Sequence, residues 1–292
     1  MMTYKKMSEL SAEDILTLWN KGFEGYFVNL TMNLDRFLLR VVSEGLSLEH
    51  SLAVYANGEP IGFVMNGFRF IEGKKVAWNG GTGISPEHRG KGIGKKLMER
   101  NFQLYREQGV DIAFLEALIQ NESAVNLYQY VGYEITEQLI SLQHTEVLDA
   151  SLLAPTNPRC YITKRGQPLE VRGLSFYKHF SAWQTQWASM KEGECLIVSN
   201  DDEAVGYALF KRIFGEDGNL TTIVLYQCES IPDRTDAVDI LKAALNELYA
   251  PLSFSCRRLA MNLRDSNKEL IELLESLGFT SFVEQVHMTR LM

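Results

Sequence analysis

Four cysteines, Cys160, Cys195, Cys228 and Cys256, are scattered through the 292-residue chain, and no two stand as C-x-x-C. No His, Cys and carboxylate cluster stands at ligand spacing either, so a metal finds no support. Scattered thiols of this kind read as reduced, mostly buried side chains of a cytoplasmic protein. No apolar run approaches the roughly 18 residues that a membrane-spanning helix needs. The opening residues, Met1 to Glu9, have no apolar core and no cleavage pattern, so no secretion signal is expected. Positive charge is short as well: 29 Lys and Arg face 37 Asp and Glu, a net charge of −8. That balance does not neutralise phosphates, so neither a nucleic acid nor a membrane is expected as partner. It mildly favours a cationic acceptor such as an amine.

What is present is an ordinary globular composition, 46% hydrophobic and 23% charged. The length suggests two domains. One stretch organises the chain: Ile84-Ser85-Pro86-Glu87-His88-Arg89-Gly90-Lys91-Gly92-Ile93-Gly94-Lys95-Lys96-Leu97. A strand leads into it and an amphipathic helix leads out. Alternating glycines that open a helix leave unpaired N–H groups at the positive end of the macrodipole. Such a turn is an anion seat, and phosphate is its usual occupant. The dinucleotide fingerprint G-x-G-x-x-G fails, because Lys95 stands at the third glycine. The phosphate-loop pattern fails too, because Lys96 follows Gly94-Lys95 in place of Ser or Thr. A flexible turn before a basic helix start is the plain alternative.

The patterning predicts helices over 8–20 and 34–44, the first opened by Ser11 and Asp14. A hairpin follows, 52–56 and 61–70 around Asn57-Gly58-Glu59-Pro60. Then come a strand over 76–85, a helix over 92–108, a strand over 112–118, a helix over 121–130 and a strand over 133–143. Gly80 to Gly83 weaken their strand and mark a bulge. Phe23, Tyr26 and Phe27 belong to an aromatic patch that reads mostly as core.

The chain then starts over. Asn121 to Tyr133 aligns without gaps with Asn267 to Phe279, and Ala56 to Phe63 resembles Ser199 to Tyr207. A repeat this long indicates duplicated domains. In the second copy Ile231-Pro232-Asp233-Arg234-Thr235-Asp236-Ala237-Val238 replaces the glycine turn. Its aspartates would repel a diphosphate by ~1 kcal/mol or more each. In the same register Leu274 replaces Tyr128 and Asn262 replaces Glu116.

The string Arg89-x-x-Gly92-x-Gly94 resembles the acyl-CoA motif of the GNAT superfamily of N-acetyltransferases. Leu115-Glu116, Asn121, Ala124 and Leu127-Tyr128, closing on Gly132-Tyr133, resemble the superfamily's strand-then-helix motif. The resemblance is clear over about 8–143 and degenerate over about 160–290. It implies an α/β (α+β) fold of two tandem GNAT-like domains, each a mixed, mainly antiparallel twisted sheet flanked by helices. The domains are expected at 1–146 and 159–292, with a linker over 147–158. The implied activity is transfer of an acetyl group from acetyl-CoA to a small-molecule or peptide amine, by direct attack in a ternary complex. Only the first domain keeps the cofactor motif. The second shapes the acceptor cleft or the interface of a homodimer. A non-catalytic acyl-CoA sensor or scaffold is the alternative.

The resemblance assigns Tyr128 as the acid that protonates the departing thiolate, against a reading as a core aromatic. It makes Glu116 the candidate base through water, or a purely structural carboxylate. Cofactor contacts are implied for Arg89, Gly90, Lys91, Gly92, Ile93 and Gly94 at the phosphates. Main-chain groups near Ile84 and Ser85, with Asn121 and Asn126, are implied along the pantetheine; Asn121 equally reads as a cap of its own helix.

Overall fold

The computed structural model describes residues 2–157 and 160–292. The chain forms two units: Met1–Thr136 together with Val286–Met292, and Glu137–Gln285. The cofactor-like motifs all fall in the first.

In the first unit β1 (Met2–Lys6) precedes α1 (Ala12–Gly22) and α2 (Leu34–Glu44). Both helices start on side-chain caps. Ser11 Oγ accepts from Asp14 N–H at 3.1 Å, and Asn33 Oδ1 from Arg36 N–H at 3.0 Å. Then follow β2 (Leu46–Ala56), β3 (Glu59–Ile71), β4 (Lys74–Ile84), α3 (Ile93–Glu107), β5 (Ile112–Leu118), α4 (Glu122–Tyr130) and β6 (Glu134–His144), whose last part lies in the second unit. Asn57 and Gly58 both take positive φ, which closes the β2–β3 hairpin with the twist antiparallel strands favour. The strand order is β1-β2-β3-β4-β5, with the end of β12 (Thr280–Leu291) beside β5. Neighbours run antiparallel from β1 to β4, and β4 pairs with β5 in parallel.

Alternation along the strands gives the sheet two buried faces. Phe63 packs its ring 5.3 Å from Trp19 of α1, while Val64, next along β3, joins the cluster of Leu97, Met98 and Tyr105 from α3.

The second unit repeats the plan. It contains β7 (Ile162–Gly166), β8 (Glu194–Asn200), β9 (Glu203–Phe214), β10 (Leu220–Ser230), α5 (Ala237–Tyr249), β11 (Arg257–Arg264) and α6 (Lys268–Ser276). The order is β6-β11-β10-β9-β8-β7, and β10 and β11 run parallel. The internal repeat is real at the level of backbone angles. Asn121 and Asn267 cap α4 and α6 with φ −88° in both and ψ 61° and 66°. Gly132 and Gly278 leave those helices at φ 92° and 89°. Between β7 and β8 the second unit has 3₁₀ turns, among them Pro168–Gly173 and Trp183–Thr185, where the first has α1 and α2.

The expected boundaries differ from these units. Leu148 and Leu153, inside the expected linker, are buried in the core of the second unit with Leu248 and Leu142. Apolar side chains at those positions make the segment part of that fold, not a tether. Pro158 and Arg159, at the expected linker end and domain start, lie outside the described residues. At the other end the chain returns: Val286 and Met288 are buried in the core of the first unit. No helix among the described residues is long and apolar enough to cross a membrane.

Candidate functional site

The site begins where β4 and β5 part. Their parallel pairing runs from Val76 and Ile112 to Asn79 and Leu115. Immediately beyond, β4 bulges away from β3: Met65 pairs with Gly81 and Asn66 with Asn79, which leaves Gly80 as the extra residue. Asn79 closes the bulge. Its Oδ1 accepts from Gly81 N–H at 3.1 Å, and its amide exchanges hydrogen bonds of 2.8 and 3.0 Å with the Thr82 hydroxyl. The expected bulge at Gly80 to Gly83 is therefore present.

These glycines are set by crowding. A Cβ on Gly80 would meet the Trp78 ring at 2.6 Å, and one on Gly83 would meet Phe63 at 2.6 Å and the Gly22 backbone at 3.0 Å. α1 lies directly on the strand. Gly83→Ala is expected to cost about 1–3 kcal/mol of stability by overpacking, read as a lower denaturation midpoint with an unchanged m-value.

The turn between β4 and α3 holds Gly90 at φ 71° and Gly92 at φ 74°, the left-handed region that glycine tolerates and other residues resist. Gly92 is the N-cap of α3, and Lys96 N–H donates back to Gly92 O at 3.4 Å. The N–H groups of the first turn, from Ile93 to Lys95, precede the intrahelical ladder. Among the described residues the other α-helices each carry an acidic side chain in the first turn; α3 carries none. The start of α3 thus lacks the first-turn carboxylate that would favour its positive end.

Arg89 lines the cleft, and its guanidinium is tied to main-chain carbonyls. Its Nε donates to Ile84 O at 2.9 Å, and its Nη2 donates to Gly22 O at 3.0 Å and Glu24 O at 2.7 Å. The guanidinium ties the end of α1 to the end of β4 and so shapes the wall of the seat. Ser85 is likewise internal: its N–H and hydroxyl both donate to Ile61 O, at 2.9 and 3.1 Å. Lys91 and Asn126 are exposed and do not line the cleft. His88 is half-buried and lies 3.1 Å from the Ser85 hydroxyl through Nδ1.

A cleft of about 400 Å³ joins these parts. Ile84, Arg89, Gly90, Gly92, Ile93 and Gly94 line it on one side, with Asn121 and Tyr128 of the α4 segment and the Phe23, Tyr26 and Phe27 rings. Asn121 caps its own helix, one of its two readings, and lines the cleft. Its Oδ1 accepts from Ala124 N–H at 3.3 Å, and its Nδ2 donates to the Tyr26 hydroxyl at 3.4 Å. Gly94 lets α4 approach, since a Cβ there would stand 3.0 Å from Leu127.

Tyr128 is 8% exposed. Burial pushes its phenol up to about 12, against the pull of hydrogen bonds with Thr82 and Asn79. It is neutral at physiological pH and able to donate a proton.

Glu116 is the first residue of β5 beyond the last pair with β4. Its side chain is 7% exposed. Trp78 Nε1–H donates to Oε2 at 2.7 Å, and His287 Nδ1 lies 3.0 Å from Oε1. His287 escaped the sequence reading because it stands 171 residues away, on a strand of the degenerate repeat.

In the second unit the equivalent cleft is closed by the protein itself. β10 and β11 also pair briefly, from Thr222 and Arg257 to Leu225 and Ala260. Gly206 faces Ser230 as Gly62 faces Ile84, which puts Glu229 where the first unit has Gly83. Arg264 of β11 binds both Glu229 oxygens, at 3.0 and 2.9 Å, and Asn267 donates to Cys228 O at 3.0 Å. At the start of α5 the Asp236 carboxylate receives Arg234 at 2.7 and 2.8 Å and the Tyr161 hydroxyl at 2.8 Å. Arg234, above all, holds that carboxyl down at about 2. An internal anion occupies this helix start.

Comparison with known proteins agrees with this geometry. The family profile described as Acetyltransferase (GNAT) family matches residues 13–133. An uncharacterised N-acetyltransferase of Methanocaldococcus jannaschii is 32% identical over 144 residues, 46% of this chain. The match spans 62% of that relative's length. A solved GCN5-related N-acetyltransferase from Sphaerobacter thermophilus has a TM-score of 0.68 at 16% identity, covering 100% of this chain and 95% of that one. A tandem GNAT protein from the clavulanic acid biosynthesis pathway has a TM-score of 0.61 at 13% identity, covering 100% and 98%. At such identities the structural likeness speaks for the fold.

Proposed function

We propose, from the premise that residues 13–133 belong to the GNAT acetyltransferase family, that the chain transfers the acetyl group of acetyl-CoA to a primary amine by direct attack in a ternary complex. The observation that carries this reading is one cleft holding both an anion seat without its own carboxylate and a buried, neutral Tyr128. The residues present fit the cosubstrate. Main-chain N–H groups of Gly92 to Lys95 would hold the diphosphate, with Lys95 beside them. The parting of β4 from β5 leaves strand edges along which an amide-bearing arm pairs.

Acetyl-CoA, when bound, supplies the thioester. Tyr128 then donates its phenolic proton to the departing sulfur and recovers one from the amine. Its burial keeps that proton in place until the thiolate forms. The Asn79, Thr82 and Tyr128 hydrogen bonds orient the phenol toward the floor of the cleft. The other proton of the ammonium leaves on the Glu116 side, at the apex of the parting strands. The acceptor is a small molecule or peptide. Phe23, Tyr26 and Phe27 give its pocket an apolar, aromatic wall.

Thiol release from acetyl-CoA with a panel of amines, confirmed by product mass, tests the reading. Amine-dependent release with stoichiometric acetylated product is expected. Tight acetyl-CoA binding with no release on any amine would point to the sensor or scaffold instead.

A further inference from the structure

The Glu116 carboxylate is badly placed to take a proton from substrate. Both oxygens already have donors, Trp78 and His287, and the side chain is almost wholly buried. His287 is buried as deeply, with its ring edge-on to Phe114 at 4.9 Å. With Nδ1 held 3.0 Å from a carboxylate, the neutral imidazole keeps its hydrogen on Nδ1 and its lone pair on Nε2. That Nε2 is buried and has no hydrogen-bond partner among the described residues. A buried nitrogen left unpaired is costly, and such groups persist where they have work to do. A carboxylate that fixes one imidazole nitrogen and leaves the other to accept is the arrangement by which hydrolases activate a nucleophile.

We propose that His287 Nε2, held in its tautomer by Glu116, is the proton acceptor for the incoming amine, through one water at the apex of the β4–β5 parting. The inference rests on the acetyl-transfer reading and changes the part Glu116 plays in it. Glu116 is a positioning residue: it orients the ring and stabilises the imidazolium. An ammonium loses its first proton to Nε2. The amine nitrogen bonds to the thioester carbon and the C–S bond breaks. Tyr128 protonates the sulfur and takes the second amine proton, and the imidazolium discharges to solvent. The products are the amide, the thiol and one released proton. The last strand of the chain thereby completes a site whose sequence motifs lie in the first half.

The test has two parts, on the full-length protein. Nitrogen-15 NMR of the resting protein reads the tautomer without any turnover. The Nδ1–H form is expected for His287, and Glu116→Gln is expected to shift the ring toward Nε2–H. A resting Nε2–H tautomer overturns the proposal whatever the enzyme's activity. In turnover, His287→Ala is expected to lower kcat at least about 100-fold with little change in KM for acetyl-CoA. Added imidazoles are expected to restore rate in order of their basicity, which a structural role would not produce. Should the Ala variant not fold, Glu116→Gln is read alone, with a loss of similar size. Full activity in Glu116→Gln or His287→Ala, beside an active wild type, overturns the proposal. A wild type inactive on every amine overturns the acetyl-transfer reading beneath it.

Discussion

Gly92→Glu is expected to weaken acetyl-CoA binding by at least about 30-fold. Two costs add. At φ 74° any residue with a β-carbon meets the following carbonyl, at roughly 1–2 kcal/mol. The new carboxylate also stands in the anion seat, where repulsion of a phosphate charge at about 4 Å is worth about 1–4 kcal/mol, depending on solvation. At about 1.4 kcal/mol per tenfold, the sum of about 2–6 kcal/mol corresponds to roughly 1.5 to 4 decades. Gly92→Ala separates the terms, since it carries the backbone cost alone and is expected to lose only about tenfold. Calorimetric titration of both variants reads the difference. Equal affinity in wild type and Gly92→Glu would remove the phosphates from this turn.

Tyr128→Phe is expected to lower kcat by about 10²–10⁴ and to leave KM for acetyl-CoA nearly unchanged. The phenyl ring still fills the core beside Tyr133, whose ring lies 5.9 Å away. Only the hydroxyl and its bonds to Thr82 and Asn79 are lost, at about 1 kcal/mol of stability. A fall in kcat with an intact fold isolates the proton. Because burial holds the phenol near 12, its role as donor persists through the neutral and mildly alkaline range. Unchanged kcat in the Phe variant would make Tyr128 a core aromatic.

Much of this was legible in local pattern. α2 at Leu34–Glu44 and β5 at Ile112–Leu118 occupy the segments that periodicity marks. The glycine turn, the Asn121 cap and the β4 bulge announce themselves because each rests on a few neighbouring residues with special backbone needs. The parts that did not show depend on distant chain. The Arg89 fork belongs to carbonyls of Gly22 and Glu24, more than sixty residues upstream, so its motif could not reveal that tie. Leu148 and Leu153 looked like linker beside a proline-rich run, yet they fill the core of the second unit. His287 sits in a strand of mixed polarity whose membership in the first unit no local signal encodes.

The second unit keeps the fold without the glycine turn. Asp236 with Arg234 supplies the helix start with an internal anion, and Glu229 with Arg264 spans the parting of the strands. Asp236 and Glu229 each have an arginine partner of their own.

One acyl-CoA seat per chain, at the start of α3, is the central expectation. Calorimetric titration of the full-length protein with acetyl-CoA tests it directly. One equivalent is predicted, weakened at least about 30-fold by Gly92→Glu. Two equivalents, or one of unchanged affinity in that variant, would contradict it.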